Sequence, residues 1–136
     1  MGDTQLINAS QPFGFNEVIL SGILLDARRC NKRDGITGAL VCRHDIYLQL
    51  LEGPDVQVQA TYARIMRDDR HVNIQQLICQ PISKRLFAEW DMLHDPAQSW
   101  HWTSEQISDG SLDWADEDEI MTVFSELADR VKTGSI

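Results

Sequence analysis

Gln49 stands in the middle of an apolar run, Tyr47-Leu48-Gln49-Leu50-Leu51-Glu52-Gly53. A strand there alternates its side chains, so Tyr47, Gln49 and Leu51 take one face and Leu48 and Leu50 the other. A buried amide needs hydrogen-bond partners. Either the fold satisfies Gln49 internally, or its amide donates to and accepts from a flat polar ligand. Asn31 closes a helix-forming stretch and has the same two readings. It is a C-cap asparagine, or an amide facing a ligand edge between two helices. Asp68-Asp69-Arg70-His71 is a solvated cluster with its cations near a helix C-terminus, or a polar rim that holds a ligand's tail. Trp90 and Met92 share one face of a short strand by period two, with Ala88. A core aromatic beside a thioether is the plain reading of that pair.

Other groups carry less. Gly35-Ile36-Thr37-Gly38 reads as turn chemistry or close backbone approach, and it is not a phosphate-loop pattern. His94 and His101 lie seven apart without a third ligand, so no metal site is expected. Cys79 on an alternating strand reads as core rather than nucleophile. No Ser-His-Asp arrangement or carboxylate pair announces itself.

The elements that must position these residues follow from periodicity. Gln5 to Ser10 reads as a strand ending at Gln11-Pro12-Phe13-Gly14. Asn16 is an N-cap for a helix whose apolar positions are Val18, Ile19, Leu20, Ile23, Leu24 and Ala27, ending near Arg29 to Asn31. Ile36 to Cys42 and Ile46 to Leu51 form a hairpin across Arg43-His44-Asp45. Gly53-Pro54-Asp55 opens a second helix with a stripe at Val58, Tyr62, Ile65 and Met66. Val72 to Gln80 and Phe87 to Leu93 read as strands. A polar stretch, Asp95 to Ser111, leads to a last helix from about Ala115 to Val131. Its stripe is Ile120, Phe124, Leu127 and Val131, widened by Met121 and Val123. The order β-α-β-β-α-β-β is an α+β, ferredoxin-like pattern with two helices on one face of one sheet. The last helix is expected to cover the other face. Two parts are expected, 1–95 as the binding domain and 96–136 as a C-terminal extension.

The chain has 136 residues, enough for one core. Its net charge of −9 disfavours nucleic acid and anionic membranes as partners. The excess is local, since Asp113 to Glu119 alone holds five acids. No apolar run approaches the ~18 residues of a membrane span, and no signal peptide is visible. Cys30, Cys42 and Cys79 stand far apart without a C-x-x-C pair, which fits a reducing cytoplasm.

These pieces combine in one register. Leu6-Ile7-x-Ala9-Ser10, Asn31, Gly35-Ile36-Thr37-Gly38-Ala39-Leu40, Leu48-Gln49-Leu50-Leu51-Glu52-Gly53-Pro54, Ile65, Asp68, Arg70-His71, Arg85, Phe87 and Trp90-x-Met92 resemble the BLUF family of blue-light sensors, over residues 4 to 94. The resemblance implies a noncovalent flavin between the two helices, FAD foremost, with FMN or riboflavin as the other choices. It implies that Asn31 and Gln49 bond the isoalloxazine edge, and that Asp68, Arg70 and His71 form the rim. It implies that Trp90 and Met92 relay the signal. Ile23, Leu24 and Leu40 are then the expected apolar walls.

In that family a tyrosine on the first strand, in a segment like Leu-Ile-Tyr-x-Ser, gives the excited flavin an electron and a proton. The glutamine amide then rearranges. This sequence has Leu6-Ile7-Asn8-Ala9-Ser10. Asparagine is not an accessible one-electron donor, but it hydrogen-bonds, and Leu6, Asn8 and Ser10 share a face. The expectation is a flavin-binding photoreceptor module, not an enzyme, whose ordinary photocycle is lost or altered. It would signal through a protein effector and form a homo-oligomer through its last helix. The rival readings are a flavin-free ferredoxin-like interaction module and a small flavoenzyme.

Overall fold

The computed structural model describes residues 3–12, 17–43, 46–68, 71–95 and 117–132. The elements are β1 (Asp3–Pro12), α1 (Glu17–Asp34), β2 (Thr37–Arg43), β3 (Ile46–Gly53), α2 (Asp55–Met66), β4 (His71–Ile82), β5 (Leu93–Asp95) and α3 (Glu117–Lys132). They form one five-stranded sheet in the order β4-β1-β3-β2-β5. The first four strands pair antiparallel, and β5 adds to the β2 edge in parallel. The α+β, ferredoxin-like arrangement expected from the element order is the one observed.

Strand alternation sorts the core into two layers. Leu6, Leu40, Tyr47 and Leu51 bury one face of the sheet against Leu20 and Leu24 of α1 and Val58 of α2. Ile7, Ala9, Val41, Leu48 and Leu50 bury the other face against Ile120, Val123, Phe124, Leu127 and Ala128 of α3. Phe87 meets Phe124 edge to face, with ring centroids 6.3 Å apart. Large side chains buried in this way each contribute about 1.5–3 kcal/mol of transfer free energy. The α3 stripe is thus packed against the sheet within the chain. Two positions of the expected helical stripes face water instead: Val18 is 84% exposed and Met66 57%.

Three features differ from the periodicity reading. Helix α1 runs through Asn31 to Asp34. It ends at Gly35, whose φ of 71° suits glycine, and Ile36 N–H donates back to the Asn31 carbonyl at 2.9 Å. Asn31 is therefore inside the helix and not its cap. The expected strand from Phe87 to Leu93 is absent: only Leu93–Asp95 is strand. Side chains occupy the backbone groups a ladder would need. The Glu52 carboxylate, fully buried, accepts from the N–H groups of Leu86 and Phe87 and from Gln5 Nε2. Arg28 Nε donates to the Met92 carbonyl and Asn31 Nδ2 to the Asp91 carbonyl. Finally, Cys79 is exposed rather than in the core, because β4 is the sheet edge. Gly38 is required by close approach: a Cβ there would collide with the Leu50 carbonyl oxygen of β3.

The expected Asn16 cap, the Arg43-His44-Asp45 connection at His44 and Asp45, and the stretch 96–116 with His101 lie outside the described residues. Among the described residues no helix is long and apolar enough to cross a membrane.

Candidate functional site

A cleft of about 200 Å³ opens between α1 and α2 over the sheet. From α1 it is lined by Ile23, Asp26, Ala27, Arg29, Cys30 and Asn31. Gln49 of β3 forms its floor, and Thr61, Arg64, Ile65 and Asp68 come from α2 and the turn after it. Ile23, Ala27 and Asn31 recur every four residues, which stacks them on one face of α1. Thr61, Ile65 and Asp68 recur at i, i+4 and i+7 and do the same opposite. The volume is below the roughly 300–1,000 Å³ of sites that enclose a whole ligand.

The polar groups within it are few and placed. Asn31 is 1% exposed, and its Nδ2 donates to the Asp91 carbonyl at 2.8 Å. Gln49 is buried with its side chain on the cleft. Its Cα partners are Asn8 on one side and Leu40 on the other. Asn8 is also buried, and its Nδ2 has no hydrogen-bond partner. At the rim Arg64 donates to Thr61 Oγ1 at 3.5 Å and stands 4.0 Å from Asp34. A hydrogen bond from Arg33, helped by the charge of Arg64, holds the Asp34 carboxyl below its usual value. Burial pushes the Tyr62 phenol up in the layer beside the cleft.

The expected site residues separate into groups. Ile23, Asn31, Gln49 and Asp68 come together on the cleft, with Asn8 directly behind Gln49. Leu24 and Leu40 do not line it. They lie in the apolar layer with Leu6 and Met92. Met92 is 2% exposed on the helix side of the sheet, whereas Trp90 is 40% exposed. The shared face expected for that pair is therefore not formed, since they are not on a strand. Arg70 lies outside the described residues, and His71 is described only by its backbone at the start of β4. His94 stands with Nε2 3.1 Å from Cys42 Sγ. Thr61, Arg64, Ala27 and Cys30 were not singled out from sequence. Counting back in fours from Asn31, and along the Val58 stripe, would have found Ala27 and Thr61.

A flavin fits these residues. Two amides face one cleft, Ile23, Ala27 and Ile65 supply apolar walls, and Arg29, paired with Asp26, and Arg64 stand with Asp68 among its charged residues. The comparisons agree. Residues 4–93 match the family described as BLUF, sensors of blue-light using FAD. The photoactivated adenylate cyclase subunit beta of Euglena gracilis is 32% identical over 90 residues, 65% of this chain and 10% of that protein. The blue light- and temperature-regulated antirepressor BluF of Escherichia coli K12 is 39% identical over 66 residues, 48% of this chain and 16% of that one. The chain thus spans a small part of the length of both relatives. Among solved structures, the photo-activated state of BlsA superposes with a TM-score of 0.74 at 26% identity, covering 93% of this chain and 94% of that one. The dark state of BlrB, a BLUF protein, gives a TM-score of 0.80 at 23% identity, covering 93% and 96%, a likeness of fold alone. With a matching profile over most of its length and the amide-floored cleft in place, this chain belongs to the BLUF family, whose members sense blue light through a bound FAD.

Proposed function

We propose that this chain holds FAD in the cleft between α1 and α2 and that its light response departs from the family's ordinary photocycle. The observation that carries this reading is Asn8, buried directly opposite Gln49 in the β1–β3 pair. A bound flavin absorbs blue light and, once excited, accepts an electron from a nearby donor. Asn8 sits where the family's tyrosine is expected and offers no electron at an accessible potential. It preserves the sheet register and a hydrogen-bonding group beside Gln49. Asn31 and Gln49 orient the ring edge, Ile23, Ala27 and Ile65 keep water from its faces, and Arg64 and Asp68 meet the substituent at the rim. Tyr47 lies two residues from Gln49 on the same face and is the nearest alternative donor on that strand.

The reading is a sensor rather than an enzyme. Residues 1–95 form the flavin-binding unit, and 96–136 form an extension that carries output to a protein effector. The end of the family match at residue 93 supports that division. The E. coli relative is an antirepressor and the Euglena relatives are cyclases, so the matched part serves different outputs in different proteins. FAD is preferred to FMN or riboflavin on the family's description. The cysteine usage supports a cytoplasmic setting.

An absorption spectrum of the purified protein before and after blue light tests this. Flavin bands without the reversible red shift are expected. A normal reversible shift would refute the altered photocycle, and a colourless protein would favour the flavin-free interaction module.

A further inference from the structure

The three cysteines of this chain stand in three different settings. Cys42 is buried, with its Sγ 3.1 Å from His94 Nε2. Cys79 is exposed on the edge strand β4, where Gln59 Nε2 reaches its Sγ at 3.5 Å. Cys30 is half-buried and lines the α1–α2 cleft. It follows Ala27 by three residues, so the two stand one above the other on the α1 wall. A partly exposed thiol beside cations is the kind that reacts, whereas a sealed one is inert.

The same cleft asks for a ligand independently of that thiol. Gln49 is 8% exposed and lines it, and among the described residues its side-chain amide has no hydrogen-bond partner. A buried amide of that kind is satisfied by whatever fills the space. A substituent carried on Cys30 takes up part of the about 200 Å³ in which a flavin ring would stand.

The charges around the thiol favour an anionic reagent. Arg29 precedes Cys30, and Lys32 and Arg33 follow it, all exposed. Arg29 pairs with Asp26 at 3.4 Å and Arg33 with Asp34 at 2.9 Å, and Arg64 stands 4.0 Å from Asp34. Asp68 is a third acid on the cleft. Lys32 makes no ion pair among the described residues. These four cations face three acids, on a chain whose net charge is −9. Asp34 first, and a Cys30 thiolate after it, hold the Arg33 guanidinium above its ordinary value.

We propose that Cys30 is a site of reversible S-thiolation by a small anionic disulfide such as glutathione disulfide, and that this modification and flavin binding exclude one another. The proposal rests on the flavin reading and adds a regulation of that same site. The Cys30 thiolate attacks one sulfur of the reagent. The new bond to Sγ forms as the reagent's S–S bond breaks, and the departing thiolate takes up the proton that Cys30 lost. No further oxidant is consumed, and a thiol reductant reverses the exchange. The reagent's carboxylates meet Lys32 and the arginines at the mouth, whereas Val72 to Ile82 around Cys79 holds no basic residue. The exclusion is reciprocal: a bound flavin shields Cys30, and a modified Cys30 keeps flavin out.

The test uses the full chain, flavin-free and FAD-loaded, with glutathione disulfide as the reagent and peptide mass spectrometry as the readout. In the flavin-free protein Cys30 and Cys79 are expected to gain the glutathionyl mass, and Cys42 is not. FAD is expected to slow the reaction of Cys30 by roughly tenfold or more and to leave that of Cys79 unchanged. In a Cys79→Ser background, the modified protein is expected to bind FAD roughly tenfold or more weakly until dithiothreitol restores the thiol. Adding the disulfide to Cys30→Ser or Cys30→Ala should leave FAD uptake as it was before the addition. Modification of Cys30 at one rate with and without FAD, or unaltered FAD affinity after it, would overturn the proposal. So would a Cys30 that stays unmodified while Cys79 reacts. Untreated protein that takes up no FAD would overturn the flavin reading and the exclusion together. That failure shows before any disulfide is added, which separates it from the others.

Discussion

The sheet face under α3 and the face under α1 and α2 are made from alternate residues of the same strands, yet they are filled differently. Under α3 the layer runs through Ile7, Val41, Leu48, Leu50, Ile78, Phe87 and the α3 stripe. Glu52 and Gln5, which are also buried, sit toward the end of the strands, where they tie down the segment after β4. Under α1 and α2 the strand positions Leu6, Leu40 and Leu51 are interrupted by Asn8 and Gln49, with Asn31 inside α1. One layer is a closed apolar contact. The other carries three buried amides, two of which line the α1–α2 cleft. A sheet of alternating strands lets stability and binding be assigned to separate faces, because a substitution on one face leaves the other's side chains in register.

That contrast is open to attack from either side. The largest effect is expected for Phe124→Ala, which empties a fully buried position against Phe87. A loss of about 3–5 kcal/mol in unfolding free energy is expected by denaturant titration. FAD affinity measured well below the unfolding transition should change little. A large affinity loss there would show that the two faces are not independent. Next is Asn31→Leu, which removes the bond to the Asp91 carbonyl and one ligand group. Its expected signature is the reverse: about 1 kcal/mol of stability and roughly a tenfold or smaller loss of FAD affinity. A pure stability loss with affinity intact would make Asn31 a structural amide only.

The smallest effect lies at the sheet's rim. Arg85 Nε donates to Asp3 at 2.7 Å and holds the Asp3 carboxyl below its ordinary value. A depressed carboxylate contributes stability that is present above its unfolded pKa of about 3.9 and lost as pH falls through the lower folded value. The pair is partly exposed, so well under 1 kcal/mol is expected. Asp3→Asn should therefore be slightly less stable than wild type at pH 7 and equal to it near pH 2. A difference that persists at pH 2 would show that the side chain acts through something other than its charge.

Much of the scaffold was legible because it is periodic. The alternation of Tyr47, Gln49 and Leu51, the facing of Leu6 with Asn8, and the stripe at Ile120, Phe124 and Leu127 are local patterns, and each appears as read. The site was legible only in part. Leu24 and Leu40 are expected on its walls as apolar residues, and both lie in the core layer beneath the cleft lining. Arg64 and Cys30 carry no pattern of their own, and they face the cleft only because α1 and α2 straddle the same strand.

The sequence by itself determined the order of elements and the two-layer sorting of the strands, with Asn8 on the face of Leu6 and Ser10; the pairing of Asn8 with Gln49 was decided by the β1–β3 register. The order and the sorting follow from side-chain period and composition, which are properties of neighbouring residues. The tertiary structure decided that Asn31 bonds Asp91, that Glu52 reaches Leu86 and Phe87, and that Met92 is buried where Trp90 is not. The two hydrogen-bond sets join residues 34 to 60 positions apart, and the burial of Met92 depends on the same segment docking against the sheet. Such pairings depend on how the strands and helices come together in space, and no local period encodes them.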